Sequence, residues 1–404
     1  MIDLNLIKKH KLKPPFFVYK SSIIKRQFLK LKNSLPCNFV IFYSAKANPN
    51  IHILGMLKKL GANVEISSSG ELQSVLNTGF NQKQIIFTGP GKTNEELKHA
   101  LTQRIYLIVV ESLNELERIE KIACKLKMKQ NILLRINPTL AMRQSNDVVF
   151  NFSGSGQKFG IDENQFPGII KCLKRFKNIK LLGVHLFSGS NVCDEKIILD
   201  NTKYLFEIVN DLESRFSIDL SVVDIGGGLG ISYSANPNDG VNFNKLSHGF
   251  QNLVDKYKFN NKKIILEIGR FLVGESGEYV VRVIDKKKSG KDKFVIVDGG
   301  KNHLSMASLS PNGHWVELLN RERSNKKEIF NLVGNLNTSY DFISTTFISK
   351  DIQIDDLLSI KNVGAYSFSI GWILFSSRPI PGEYLLLEKG RLKNISKNIK
   401  ILDE

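Results

Sequence analysis

The chain has 404 residues, 42% of them apolar, and carries 57 Lys and Arg against 39 Asp and Glu, a formal charge of +18. That length exceeds what one hydrophobic core organises, so two domains are expected; no apolar run reaches the ~20 residues of a membrane helix, and Met1-Ile2-Asp3-Leu4 lacks the layout of a secretory signal, so no membrane association is expected. The lysines are spread along the chain, which reads as a solvated basic surface able to steer an anionic small molecule and not as a nucleic-acid face.

In chain order, short apolar strands alternate with helices. Phe39–Tyr43 reads as a strand and Ile51–Leu60 as an amphipathic helix ending at Gly61. Strand Val64–Ser67, helix Glu71–Thr78, strand Ile85–Thr88 and helix Asn94–Ala100 follow. Further strands are expected at Ile105–Val110, Asn131–Ile136, Leu181–His185, Val222–Ile225 and Ile264–Ile268. This alternation argues for a parallel sheet, and so many strands argue for a closed (β/α) barrel. From about Glu278 the pattern becomes β-rich, with Lys286–Lys293 as a charged hairpin loop between Tyr279–Ile284 and Phe294–Val297. The expected domains are a barrel over 21–277 and an antiparallel β domain over 278–404, the latter joined by a strand from 1–20. Cys37, Cys124, Cys172 and Cys193 show neither Cys-x-x-Cys spacing nor disulfide density and read as reduced and cytoplasmic.

One lysine stands out. Lys46, in Phe42-Tyr43-Ser44-Ala45-Lys46-Ala47-Asn48-Pro49-Asn50, closes the first barrel strand, and desolvation there would lower its pKa toward the neutral amine that attacks a carbonyl. Gly226-Gly227-Gly228, after Val222-Val223-Asp224-Ile225, is a loop whose bare N–H groups suit a phosphate. Both fall at strand C-terminal ends, where barrel chemistry collects.

Tyr43-Ser44-Ala45-Lys46-Ala47-Asn48 resembles the cofactor-lysine motif of the pyridoxal-phosphate decarboxylases built on an alanine-racemase-like barrel, the group of diaminopimelate and ornithine decarboxylases. The likeness continues in order through Gly61–Leu72, Ile86–Lys92, Leu134-Arg135-Ile136-Asn137-Pro138, Gly183–Ser190, Asp224–Gly228, Glu267-Ile268-Gly269-Arg270, Val297–Gly300 and Gly364-Ala365-Tyr366. It implies a pyridoxal-phosphate-binding TIM-like (β/α)8 barrel with a C-terminal antiparallel β domain, a decarboxylase and a homodimer with shared active sites. The resemblance assigns Lys46 to the cofactor aldehyde and Glu267 to the pyridine nitrogen, where racemases place a positively charged partner. Gly226, Gly227, Gly228, Ser190, Arg270 and Tyr366 fall to the phosphate, with Gly269 beside Arg270. Arg135 lies under the cofactor, and a salt bridge to a neighbouring loop would explain it equally well. No metal is implied.

The departures point to the substrate. Relatives draw a Cys-Glu pair from the second subunit, the cysteine as acid and the glutamate for the distal amine; here Asn337 and Thr338 stand there. Asparagine cannot donate a proton as a thiol does. Phe187 replaces the usual stacking histidine and still lies flat on a ring. The arginine-rich clamp after Asp-Gly-Gly in diaminopimelate decarboxylases is replaced by Lys301-Asn302-His303-Leu304-Ser305-Met306. Thr338, Asn302-His303 and Phe375–Glu383 resemble the subgroup acting on conjugated amino acids, carrier-protein-bound or citrate-linked. N-citryl-ornithine, in carboxylate siderophore biosynthesis, is the specific expectation, with Lys301, His303 and Arg378 for the tricarboxylate. His185, His303, Lys46 and a water are the options for returning a proton to Cα. Carrier-protein-linked decarboxylation, diaminopimelate decarboxylation and racemisation are the alternatives.

Overall fold

The computed structural model describes residues 2–139, 157–233, 240–304, 314–320 and 327–397. Ser305 and Met306, set above against the relatives' clamp, lie outside them. The chain forms two compact units: Phe28–Gly230 with Gly240–Gly269, and Met1–Gln27 with Ile231–Asp239 and Arg270–Glu404.

The chain begins with α1 (Leu4–Lys9), β1 (Phe16–Lys20) and α2 (Ser21–Asn33), and then enters the first unit. There the order is β2 (Phe39–Ser44), α3 (Ile51–Leu60), β3 (Asn63–Ile66), α4 (Ser69–Asn77), β4 (Ile85–Phe87), α5 (Asn94–Thr102), β5 (Leu107–Val110), α6 (Leu113–Lys125) and β6 (Gln130–Asn137). It continues with β7 (Ile161–Asp162), α7 (Phe166–Leu173), β8 (Ile179–His185), α8 (Glu195–Phe216), β9 (Val222–Gly227), α9 (Phe243–Tyr257) and β10 (Lys263–Ile268). Parallel pairing runs β2-β3-β4-β5-β6-β8-β9-β10 and returns from β10 to β2, closing the barrel read from the sequence; β7 lies off the ring beside β6.

Local chemistry sets the first four strand-to-helix turns of the barrel. Asn50, Ser68, Thr93 and Ser112 cap α3, α4, α5 and α6 by accepting hydrogen bonds from backbone N–H groups of the first turn, offsetting donors a helix start leaves unpaired. Gly61 ends α3 at φ +96, a left-handed cap that costs glycine nothing. Inside the ring Phe42, Ile86, Leu107, Val109, Leu133, Val222 and Ile265 pack into one apolar cluster, so the barrel is filled and chemistry is left to the strand ends.

The second unit adds α10 (Arg270–Val273), β11 (Gly277–Ser289), β12 (Asp292–Val297), α11 (Lys301–Leu304), β13 (Val316–Leu318), β14 (Lys327–Val333), β15 (Phe342–Lys350), β16 (Leu357–Lys361), β17 (Gly382–Leu386) and β18 (Leu392–Asn394). Its sheet order is β15-β14-β12-β11-β1-β17-β18, with β16 on β11 and β13 on β16. The sheet is mixed, which corrects the antiparallel expectation: β1 is antiparallel to β11 but parallel to β17, and β12 is parallel to β14. The N-terminal strand lies between strands from distant parts of the chain and satisfies both of its edges. Phe16 and Val18 of β1 pack with Ile7, Val280 and Leu357. Among the described residues no helix is long and apolar enough to cross a membrane.

Candidate active site

At the end of β2 the chain makes one 3-10 turn, Ala45–Ala47, before Asn50 starts α3. The Tyr43 hydroxyl donates to the Asn48 carbonyl at 2.9 Å and pins that turn. Lys46 therefore projects from a fixed strand end. Its Nζ lies 2.8 Å from Glu65 Oε1, the lysine side chain 43% exposed and the glutamate fully buried. Lys46 keeps solvent on one side and a buried carboxylate on the other. Burial pushes the Glu65 carboxyl up, but Lys46, Thr88 and Ser44 outweigh it and hold the group below its ordinary value.

A second cluster lies on β8, β9 and β10, the strands that adjoin β2 on its other side. His185 Nε2 is 3.4 Å from Glu267 Oε2, both side chains buried, and Asp224 completes a group whose polar atoms lie within 4.8 Å of one another. Burial first, and the Glu267 carboxylate second, raise Asp224 well above the usual carboxylate range. The adjoining Gly226-Gly227-Gly228 loop is bare by necessity. A Cβ on Gly226 would fall 2.4 Å from the Leu186 carbonyl oxygen, and one on Gly228 2.4 Å from that of Gly189. Val192 N donates to the Gly228 carbonyl at 2.7 Å. The structure thus brings the Phe187–Ser190 turn, with Phe187 and Ser190 half-buried, against the triglycine loop.

Arg135, at the end of β6, is buried and donates to Glu111 Oε1 at 2.9 Å. Glu111 also accepts from Gly89 N at 3.1 Å and Gly160 N at 2.9 Å. The salt bridge to a neighbouring loop is therefore present.

In the second unit Arg270 hydrogen-bonds Tyr233 and lies 4.8 Å over the ring of Tyr366, so two residues assigned to one phosphate meet. Tyr366 sits at φ +53, a left-handed conformation uncommon for a tyrosine. Asp341 organises the next group: its carboxylate accepts from Lys301 N at 2.6 Å and Leu336 N at 2.8 Å, and Arg378 donates to the Asn335 carbonyl at 2.7 Å. The intervening loop presents Asn337 exposed and Thr338 half-buried. His303 is placed differently from the sequence reading. It is buried, its Nδ1 is 2.6 Å from the Tyr279 hydroxyl, and its Nε2 is 3.0 Å from Asn302 Nδ2. Burial pushes it down to about 4. Asn302 is fully buried beside it. This pair is interior structure, not a surface offered to a substrate.

Glu65 and Asp224 fall inside sequence motifs that give them no role, and Glu111 and His314 fall outside every motif. The available signal was a lone carboxylate in an otherwise apolar strand. His314 is buried with neither ring nitrogen hydrogen-bonded among the described residues, and it gave no such signal.

A family model described as pyridoxal-dependent decarboxylase, pyridoxal binding domain, matches residues 21–274. The chain is 28% identical over 381 residues to L-glutamyl-[BtrI acyl-carrier protein] decarboxylase of Niallia circulans, covering 92% of this chain and 88% of that protein. It is 29% identical to 2-[(L-alanin-3-ylcarbamoyl)methyl]-2-hydroxybutanedioate decarboxylase of Staphylococcus aureus, covering 92% and 93%. Among solved structures it is similar to diaminopimelate decarboxylase from Helicobacter pylori complexed with L-lysine, with a TM-score of 0.88, 29% identity, and coverage of 98% of this chain and 96% of that one.

Proposed function

Because the chain belongs to the pyridoxal-dependent decarboxylases, we propose that it removes the α-carboxylate of an amino acid whose distal end is already conjugated, with N-citryl-ornithine as the substrate. It is a carboxy-lyase, and pyridoxal 5'-phosphate is its cofactor. The residues present fit that group: the triglycine loop excludes any side chain, and buried Glu267 keeps Oε1 without a hydrogen-bond partner among the described residues. In this reading Lys46 would hold the aldehyde carbon, Gly226–Gly228 and Ser190 the phosphate, Glu267 the ring nitrogen and Phe187 a ring face. Arg135 would lie beneath the cofactor by the family resemblance; the phosphate role of Arg270 and Tyr366, with Gly269 before them, rests on that resemblance and on their mutual contact. Bound there, the cofactor supplies an electron sink for the pair released when the Cα–carboxylate bond breaks.

The chain's own residues divide the remaining work. Glu267, braced by His185, holds a proton at the ring nitrogen, which speaks against racemisation. Phe187 shields a ring face from water. His303 is closed off by Tyr279 and Asn302, and His185 is engaged with Glu267, which leaves Lys46 or a water for the return of a proton to Cα.

The observation that carries the substrate reading is Asn337-Thr338, a neutral pair on an exposed loop where the resemblance leads one to expect Cys-Glu. Without a carboxylate for a distal ammonium, a distal amide is the better fit. A tricarboxylate head needs cations, and Lys301 and Arg378 gather around the Asp341 loop. The Staphylococcus aureus relative, named for a 2-hydroxybutanedioate amide, supports the same chemistry. The exposed Asn337 loop is assigned to the partner's site in a homodimer, and four free cysteines suit a reducing cytoplasm. A mass-spectrometric screen for CO2 loss tests the substrate, offering citryl-ornithine, carrier-bound amino acids, free ornithine, lysine and diaminopimelate. Preference for citryl-ornithine supports the reading; preference for a carrier-bound substrate or for diaminopimelate replaces it.

A further inference from the structure

We propose that Asp224 is a neutral, proton-carrying positioning residue that holds Glu267 through a shared proton while its other oxygen holds the triglycine loop. Asp224 has no exposed surface. Its Oδ1 accepts from Gly226 N at 2.9 Å, so the turn into the loop is tied to its carboxyl. On one side β9 pairs Asp224 with His185, and on the other with Ile265; a bulge then sets Gly227 opposite Glu267. The groups facing Asp224 are therefore Glu267, His185 and, further off, Glu65.

Among the described residues no Lys or Arg pairs with either carboxylate, and two buried carboxylates within 4.8 Å of one another disfavour being ionised together, so that one takes a proton. Burial and the Glu267 charge both favour Asp224 as the acceptor. Asp224 Oδ2 and Glu267 Oε1 each lack a hydrogen-bond partner among the described residues, and a proton between the two carboxyls gives Oδ2 its partner while one lone pair of Oε1 stays open to the ring nitrogen. A neutral Asp224 adds no second negative charge beside the acid proposed for the ring nitrogen. One side chain so couples the loop proposed for the phosphate to the acid proposed for the ring.

The test uses readouts that need no substrate, so its failure is distinct from failure of the citryl-ornithine reading. Re-binding of pyridoxal phosphate to protein stripped of it is followed by fluorescence for wild type, Asp224→Asn and Asp224→Ala. Asparagine keeps an acceptor for Gly226 N–H and a donor for Glu267, so its dissociation constant should stay within about threefold, whereas alanine should weaken binding about tenfold or more. Infrared spectra of the holoenzyme should show a protonated-carboxyl stretch that Asp224→Asn removes. The infrared arm stands even where the alanine variant does not fold. Asparagine as damaging as alanine, alanine indistinguishable from wild type, or no protonated-carboxyl band lost in Asp224→Asn would each overturn the proposal.

Discussion

Replacing Glu111 with Leu tests the arrangement at the end of β6 most severely. Glu111 and Arg135 are 4% and 7% exposed at the side chain and 2.9 Å apart, so the leucine leaves a buried guanidinium without its carboxylate and the N–H groups of Gly89 and Gly160 without their acceptor. Breaking a buried pair from one side costs about 3–5 kcal/mol, and in a unit of this size each kcal/mol shifts the melting point by 2–4 °C, so a loss of roughly 6–20 °C is expected. Removing both partners, Glu111→Leu with Arg135→Leu, should recover part of it, because no uncompensated charge remains while the two N–H groups still lack their acceptor. The assay is thermal unfolding followed by circular dichroism at pH 7 and again in acid. Burial opposes ionisation of Glu111, but Arg135 and Lys92 outweigh it and hold the carboxyl below its ordinary 4.5. A depressed carboxylate contributes stability above its unfolded value and loses it as pH falls through the folded one. The deficit of the single variant should therefore be full at pH 7 and shrink only below about 4.5. A single variant melting within a degree or two of wild type, or a double variant no better than the single, would refute the reasoning.

Borohydride treatment of the holoenzyme should leave the reduced cofactor on Lys46, and peptide mapping that finds it on another lysine would remove Lys46 from its role. Mixing Lys46→Ala with a variant disabled at Asn337-Thr338 should restore up to about a quarter of wild-type activity through hybrid dimers holding one intact site; no restoration after verified subunit exchange would mean each site is built from one chain. Arg378→Ala or Lys301→Ala should raise KM for a citrate conjugate more than it lowers kcat, the pattern of lost uniform binding; a fall in kcat alone would place those residues elsewhere. Free ornithine, lysine and diaminopimelate should each be poor substrates, since no carboxylate at Thr338 meets their distal ammonium, and efficient turnover of free diaminopimelate would reverse the substrate reading.

The barrel was legible because its signal is local. Each apolar run, from Phe39 to the run ending at Ile268, is bounded by turn residues, and the strands formed within one or two residues of the expected bounds. The charged hairpin was legible as a hairpin but not in its extent. β11 runs to Ser289 and the turn is only Gly290-Lys291, so the lysines of Lys286–Lys288 lie on a strand. Those residues are exposed, and with no buried face there is no alternation to read. The mixed sheet was not legible because the parallel partners of β1 and β12 come from distant sequence.

Within the site, legibility follows the same division between local and distant partners. Lys46 and the triglycine loop announce themselves through strand ends and glycines, because what they need is backbone geometry that neighbouring residues encode. Glu65, Glu111 and Asp224 do not, because each carboxylate takes its meaning from a group outside its own strand: Lys46, Arg135 and Glu267. His303 was misplaced for the converse reason. A histidine has the same chemistry in a pocket and in a core, and only Tyr279 and Asn302 closing on its two nitrogens show which it is. The substrate's distal half lies at the far end of this scale. Asn337 and Thr338 sit on a loop fixed by Asp341 from beneath, so the fold holds the loop's base while leaving its exposed tip free to differ between relatives. In the proposed reading the choice between a free ammonium and a conjugated amide therefore rests on a few side chains that the core does not constrain, while the barrel that holds Lys46 and the triglycine loop is set by its own packing.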